Sequence, residues 1–125
     1  MLYPNVDAGI RQLRARYPLF IVSNCQAGYI ETFLAWSTLG PCFRDFECWG
    51  STGRPKAENL GLLIARNGLR RALLVGDTPG DQAAARECGV PFVYVDYGFD
   101  VCRGADRSFS SFGDLTRWLL GDLRA

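Results

Sequence analysis

Val75-Gly76-Asp77-Thr78-Pro79-Gly80-Asp81 is an apolar strand end that runs directly into a helix start. The run before it, Ala72-Leu73-Leu74-Val75, is short and apolar, as in strands buried on both faces. Thr78 suits an N-cap and Pro79 the first helical position. Asp81 falls at the third, where the helix dipole favours a carboxylate. Gly76 lets the backbone pass close to a ligand. Two carboxylates four residues apart, Asp77 and Asp81, therefore bracket one strand-to-helix turn. A turn former and a helix-start carboxylate would explain them structurally. Oxygen ligands few in number and completed by water would equally suit Mg²⁺.

The same alternation extends in both directions. Downstream, a helix through Ala83-Ala84-Ala85 stops at Gly89, and Phe92-Val93-Tyr94-Val95 reads as the next strand. Asp96 to Ser110 reads as loop. Ser111 is the candidate N-cap of a last helix with Leu115, Trp118 and Leu119 on its inner face. Upstream, Leu60, Leu63 and Ile64 define a helix that Gly68 stops. Leu19-Phe20-Ile21-Val22 is a second buried-strand run. It follows a helix on Val6, Ile10, Leu13 and Tyr17 that Pro18 ends. Ile30, Phe33 and Leu34 mark a further helix closed by Gly40-Pro41, and Phe43 to Trp49 carries a weak strand pattern. Alternating strands and helices predict an α/β domain with a parallel sheet covered on both faces. Ligands bind beyond the carboxyl ends of such strands. That rule selects Ser23-Asn24 and Gly76-Asp77.

Composition narrows the chemistry. The 125 residues predict one domain, and 48% apolar with 22% charged residues is ordinary globular composition. A net charge of +1 lacks the basic excess of a nucleic-acid binder, and no apolar run approaches a membrane span. There is no histidine, which removes His-based triads and His-ligated metals. The five cysteines form no C-x-x-C pair, and the start of the chain has no secretion-signal pattern. Free thiols in a reducing cytoplasm are expected.

Lys56, in Gly53-Arg54-Pro55-Lys56, is the single lysine among 14 basic residues. A position that keeps lysine suits a compact point charge on a flexible stem, as a phosphoryl group would need. A solvated loop charge is the plain alternative. Ser23, at a strand end just before a helix, can donate to an anion held by the loop amides. It can also be a simple turn residue.

Together these residues resemble the haloacid dehalogenase (HAD) superfamily of phosphohydrolases. Ser23-Asn24, Gly53-Arg54-Pro55-Lys56 and Val75-Gly76-Asp77-x-x-x-Asp81 are similar to its second, third and fourth motifs, in order. They are separated by 33 residues from Ser23 to Lys56 and 21 from Lys56 to Asp77. Gly89-Val90-Pro91 and Tyr97-Gly98-Phe99 resemble the final segment of phosphoglycolate-phosphatase-like members. Tyr3-Pro4-Asn5-Val6 resembles their return from the cap domain into the core. The resemblance implies a single three-layer Rossmann-like core over residues 1–125, without a cap. It implies Mg²⁺-dependent hydrolysis of a small phosphorylated metabolite. Ser23, Asn24 and nearby amides would hold the phosphate, and Lys56 would neutralise it and orient the nucleophile. Asp77 would bind Mg²⁺, and Asp81 would support the metal directly or through water.

The family's first motif, Asp-x-Asp, has no counterpart in these 125 residues, and Asp7 is the one acid before Ser23. Its first Asp is the covalent nucleophile, and without it no aspartyl-phosphate forms. A phosphatase fragment, inactive as an isolated chain, is the leading expectation. The alternatives are a non-catalytic pseudoenzyme or interaction module that keeps an anion or Mg²⁺ site, and an unrelated flavodoxin-like domain. The resemblance also implies a first strand between the Leu19 and Ala72 strands. Without it, those two pair directly, something else fills the slot, or exposed edges invite a homodimer or a complementing chain.

Overall fold

The computed structural model describes residues 6–95 and 104–121. Tyr3-Pro4-Asn5, Tyr97-Gly98-Phe99 and Cys102 lie outside them. The elements follow the expected alternation: α1 (Val6–Arg14), β1 (Phe20–Ser23), α2 (Tyr29–Ser37), β2 (Asp45–Cys48), α3 (Trp49–Thr52), α4 (Lys56–Arg66), β3 (Leu74–Gly76), α5 (Pro79–Cys88), β4 (Phe92–Val95), β5 (Arg107–Phe109) and α6 (Phe112–Leu119).

Local chemistry accounts for the helix ends near the site. Thr78 caps α5 by accepting from the Asp81 N–H, and Ser111 caps α6 by accepting from the Asp114 N–H. Gly89 closes α5 in the left-handed region, at φ 69°. The weak strand reading at Phe43 to Trp49 holds, and one expectation needs correction. The strand there, β2, lies parallel to β1. The segment read as loop up to Ser110 contains β5, paired parallel with β4. Three residues of mixed polarity carry too little periodicity to announce a strand.

All strand pairs are parallel, but the sheet comes in two parts. β1 pairs with β2, and β3–β4–β5 form a separate ladder. The strands on either side of the break, β1 and β3, do not pair with one another. Helices join the halves instead. Ile10 of α1 and Ile30 and Leu34 of α2 pack with Leu19, Ile21 and Phe46 on one face of β1–β2. Leu115 of α6 packs on Val93 and Val95 of β4. Phe112 reaches into both of these cores. α1 crosses α6 so closely that a Cβ on Gly9 would sit 2.5 Å from Thr116 Oγ1. On the opposite face α4 lies over β1 and β2 and packs on α5, while Ala85 of α5 meets Phe92 and Tyr94. The result is a three-layer α/β domain with the break along its middle.

Candidate functional site

The site is built where β3 ends and two helices begin. Gly76 closes β3, and Asp81 lies in the first turn of α5. A Cβ on Gly76 would stand 2.5 Å from Asp81 Oδ2, so glycine is required for the Asp81 carboxyl to fold back over the strand end. There Asp81 Oδ2 accepts from the Asp77 backbone N–H at 3.1 Å. Its other oxygen, Oδ1, accepts from Lys56 Nζ at the first position of α4. The ion pair is largely buried, with side-chain exposures of 19% for Lys56 and 9% for Asp81. Burial pushes the Asp81 carboxyl up. The Lys56 hydrogen bond and charge, with the Asp77 and Thr78 contacts, outweigh it and leave the carboxyl below its ordinary value.

Lys56 is held by a polar clamp that its sequence does not advertise. Asn59, one turn along α4, is fully buried. Its amide Nδ2 donates to the Arg54 carbonyl at 3.0 Å, and its Oδ1 accepts from Thr52 Oγ1 at 2.7 Å. Thr52 Oγ1 in turn accepts from the Arg54 N–H at 3.1 Å. The Thr52–Lys56 loop is thereby tied down before the lysine leaves it. The signal available in the sequence was a polar residue, Asn59, on the apolar face of Leu60 and Leu63. A buried amide has to be hydrogen-bonded, and here it organises a loop.

Ser23 ends β1, and its Oγ accepts from the Cys25 N–H at 3.2 Å. Asn24 is exposed beside it. The loop that follows rests on α3: the Gly50 N–H donates to the Cys25 carbonyl at 3.0 Å, and a Cβ on Gly50 would strike the Ala27 backbone nitrogen at 2.1 Å. Of the five residues singled out in the sequence, hydrogen bonds join Lys56, Asp77 and Asp81. Among the described residues no hydrogen bond or ion pair links Ser23 or Asn24 to those three. They stand at the end of β1, across the break from the end of β3.

The donor set sets limits on a metal. Each Asp81 oxygen accepts one hydrogen bond and keeps a lone pair, so Asp77 and Asp81 both retain oxygens that could face a metal or its water. Among the described residues no group of three or more Cys, Asp or Glu converges as a metal cage. One or two carboxylates together with water and ligand oxygens fit the way Mg²⁺ is usually bound. The described cysteines, Cys25, Cys42, Cys48 and Cys88, are all free thiols. No helix among the described residues is long and apolar enough to cross a membrane.

Comparison with known proteins agrees with this architecture. The fold is that of haloacid dehalogenase-like hydrolases. It superposes on a HAD-like family hydrolase from Streptococcus pneumoniae with a TM-score of 0.86, at 18% identity, over 94% of this chain and 60% of that one. A HAD phosphatase from Thermococcus onnurineus gives 0.84 at 26% identity, over 100% of this chain and 60% of that one. A HAD-hydrolase from Bacillus subtilis, solved bound to magnesium, gives 0.83 at 20% identity, over 96% and 56%. In sequence, the chain is 42% identical over 53 residues to a phosphoglycolate phosphatase from Rhodospirillum rubrum. That match covers 39% of this chain and 22% of the curated relative. No family model matches. The chain thus spans roughly 60% of the solved structures it resembles, and the HAD resemblance read from its motifs holds for sequence and fold alike.

Proposed function

We propose that this chain carries the phosphate- and Mg²⁺-handling part of a HAD-type phosphatase that hydrolyses a small phosphate monoester. The observation that carries the reading is the Lys56–Asp81–Asp77 cluster at the carboxyl end of β3. An ammonium has three N–H donors, so Lys56 keeps two for phosphate oxygens while one holds Asp81. Asp81 fixes the lysine and the Asp77 backbone together, Asp77 would ligate the metal, and Asp81 would support it directly or through water. Ser23, Asn24 and the amides that follow would grip the phosphate from the end of β1. Mg²⁺, when bound, would neutralise charge on the phosphoryl oxygens. The free thiols fit a cytoplasmic setting.

These 125 residues contain no Asp-x-Asp nucleophile motif. Binding without turnover is therefore the expected behaviour of the isolated chain. Calorimetric titration with inorganic phosphate in the presence of Mg²⁺ tests it. The expected loss on Lys56→Ala or Asp77→Asn is at least about tenfold in affinity. Unchanged binding in both variants would overturn the assignment. Hydrolysis of p-nitrophenyl phosphate by the chain alone, abolished by Asp77→Asn, would contradict the expected inactivity.

A further inference from the structure

We propose that the cavity before β1 is a second anion site, which takes a small oxyanion of three or more negative charges, an oligophosphate or a tricarboxylate. The cavity has a volume of about 460 Å³, and Arg14, Arg16 and Arg44 line it together with Tyr17, Pro18 and Pro41. That volume falls in the range of small-ligand sites. Leu19, also at the cavity, stands four residues before Ser23, about 13 Å along an extended chain. The cavity and the candidate phosphate site thus lie at opposite ends of β1, and the proposal does not depend on the phosphatase reading.

Uncompensated charge carries the argument. The chain as a whole is nearly neutral, with 14 basic and 13 acidic residues. The cavity lining nevertheless holds three arginines and no carboxylate. The acids nearest in sequence are taken elsewhere: Asp7 pairs with Arg11, and Asp45 with Arg66. Among the described residues no carboxylate pairs with Arg14, Arg16 or Arg44. Like charges gathered in a concavity repel one another and focus a positive potential. A guanidinium fork matches the oxygens of phosphate and carboxylate groups. Three such forks meet a multiply charged ligand better than a single phosphate.

The walls of the cavity are tied down. Arg16 Nη1 donates to the Leu120 carbonyl at 2.7 Å, and the Tyr17 hydroxyl donates to the Leu119 carbonyl at 2.5 Å. These bonds fasten the turn after α1 to the end of α6. A guanidinium has five N–H donors, so Arg16 keeps most of its own for a ligand. Opposite, the Arg44 N–H donates to the Leu19 carbonyl at 2.8 Å and fixes its backbone beside β1. Helix ends explain part of the pattern without a ligand. Arg14 closes α1 and Arg16 meets the end of α6, where a cation favours the dipole. Arg44 belongs to no helix and stands just before β2. Its side chain makes no hydrogen bond or ion pair among the described residues, so its charge is left for a ligand.

Calorimetric titration with sodium tripolyphosphate tests the proposal, without Mg²⁺ and at about 0.15 M salt to screen diffuse attraction. One tight equivalent per chain is expected, bound at least about tenfold more strongly than inorganic phosphate. Citrate is the second arm. Tighter tripolyphosphate assigns an oligophosphate, and tighter citrate a tricarboxylate. Arg44→Ala should leave thermal unfolding unchanged and weaken the preferred ion at least about tenfold. Amide shifts should centre on Arg14 to Tyr17 and on Arg44. No binding, several equivalents per chain, equal affinity for inorganic phosphate or full affinity in Arg44→Ala would overturn the proposal. So would shifts centred on Asp77 to Asp81, which would place the ion at the end of β3 instead.

Discussion

β4 and β1 are both four-residue strands drawn from apolar runs, yet they sit in different environments. Phe92–Val95 lies between β3 and β5, and all four residues are buried. Among the described residues Phe20–Ser23 has β2 on one side alone, and none of its residues is fully buried. Composition demands burial in both cases, but a strand is enclosed by its lateral neighbours as well as by the helices above and below. The β3–β4–β5 half is finished on the β4 side and open at β3. The β1–β2 half is open at β1. The candidate site straddles that opening, with Ser23 on one bank and the Lys56–Asp81–Asp77 cluster near the other.

The comparison breaks if the two halves respond alike to core truncation. Leu115, 1% exposed beneath β4, should lose about 2–5 kcal/mol on substitution by alanine. Ile21→Ala, at a half-buried position of β1, should lose less than half as much. Urea denaturation of both variants measures the difference, and equal losses would mean that β1 is as enclosed as β4.

The next largest effect lies in the helical bridge. Lys56→Ala leaves the Asp81 carboxylate buried without its partner, with an expected loss of about 3 kcal/mol. The double variant Lys56→Ala/Asp81→Asn should recover part of it, because no charge is then stranded. The pH dependence has a definite sign. Asp81 titrates below its unfolded value, so its contribution is present above about pH 4 and fades as pH falls through the folded value. Acid unfolding curves of the wild type and Asp81→Asn should converge at low pH and separate above it.

Gly76→Ala comes next. Its Cβ would collide with the Asp81 side chain, and a loss of about 1–3 kcal/mol is expected together with weaker phosphate binding. Thr78→Ala, which removes the cap of α5 and the smaller Thr78 contact to the Asp81 carboxyl, should cost about 1 kcal/mol and leave the β1–β2 half untouched. Thermal melts combined with amide exchange would check that the second effect stays local.

How much of this the sequence disclosed follows from physical distinctiveness. The Thr78-Pro79-Gly80-Asp81 helix start carries several local signals at once, and the structure reproduces its cap. β4 was legible as a continuous apolar run. β5 was not, because Arg107-Ser108-Phe109 is held by pairing with β4 rather than by its own pattern. In the site, Lys56 stood out as the single lysine, but its partner did not. The bond to Asp81 spans 25 residues, and no local periodicity predicts it. The Asn59 clamp and the close approach at Gly50 are tertiary facts of the same kind. The break in the sheet was one of several outcomes left open by the missing first motif. Coordinates were needed to show that β1 and β3 do not simply pair.

The most direct test of the account is amide chemical-shift mapping while inorganic phosphate is titrated in with Mg²⁺. The account predicts that Ser23 to Cys25, Lys56 and Asp77 to Asp81 shift together along one binding curve. Shifts confined to one bank, or centred on the exposed arginines Arg14, Arg16 and Arg44 near the start of β1, would contradict it.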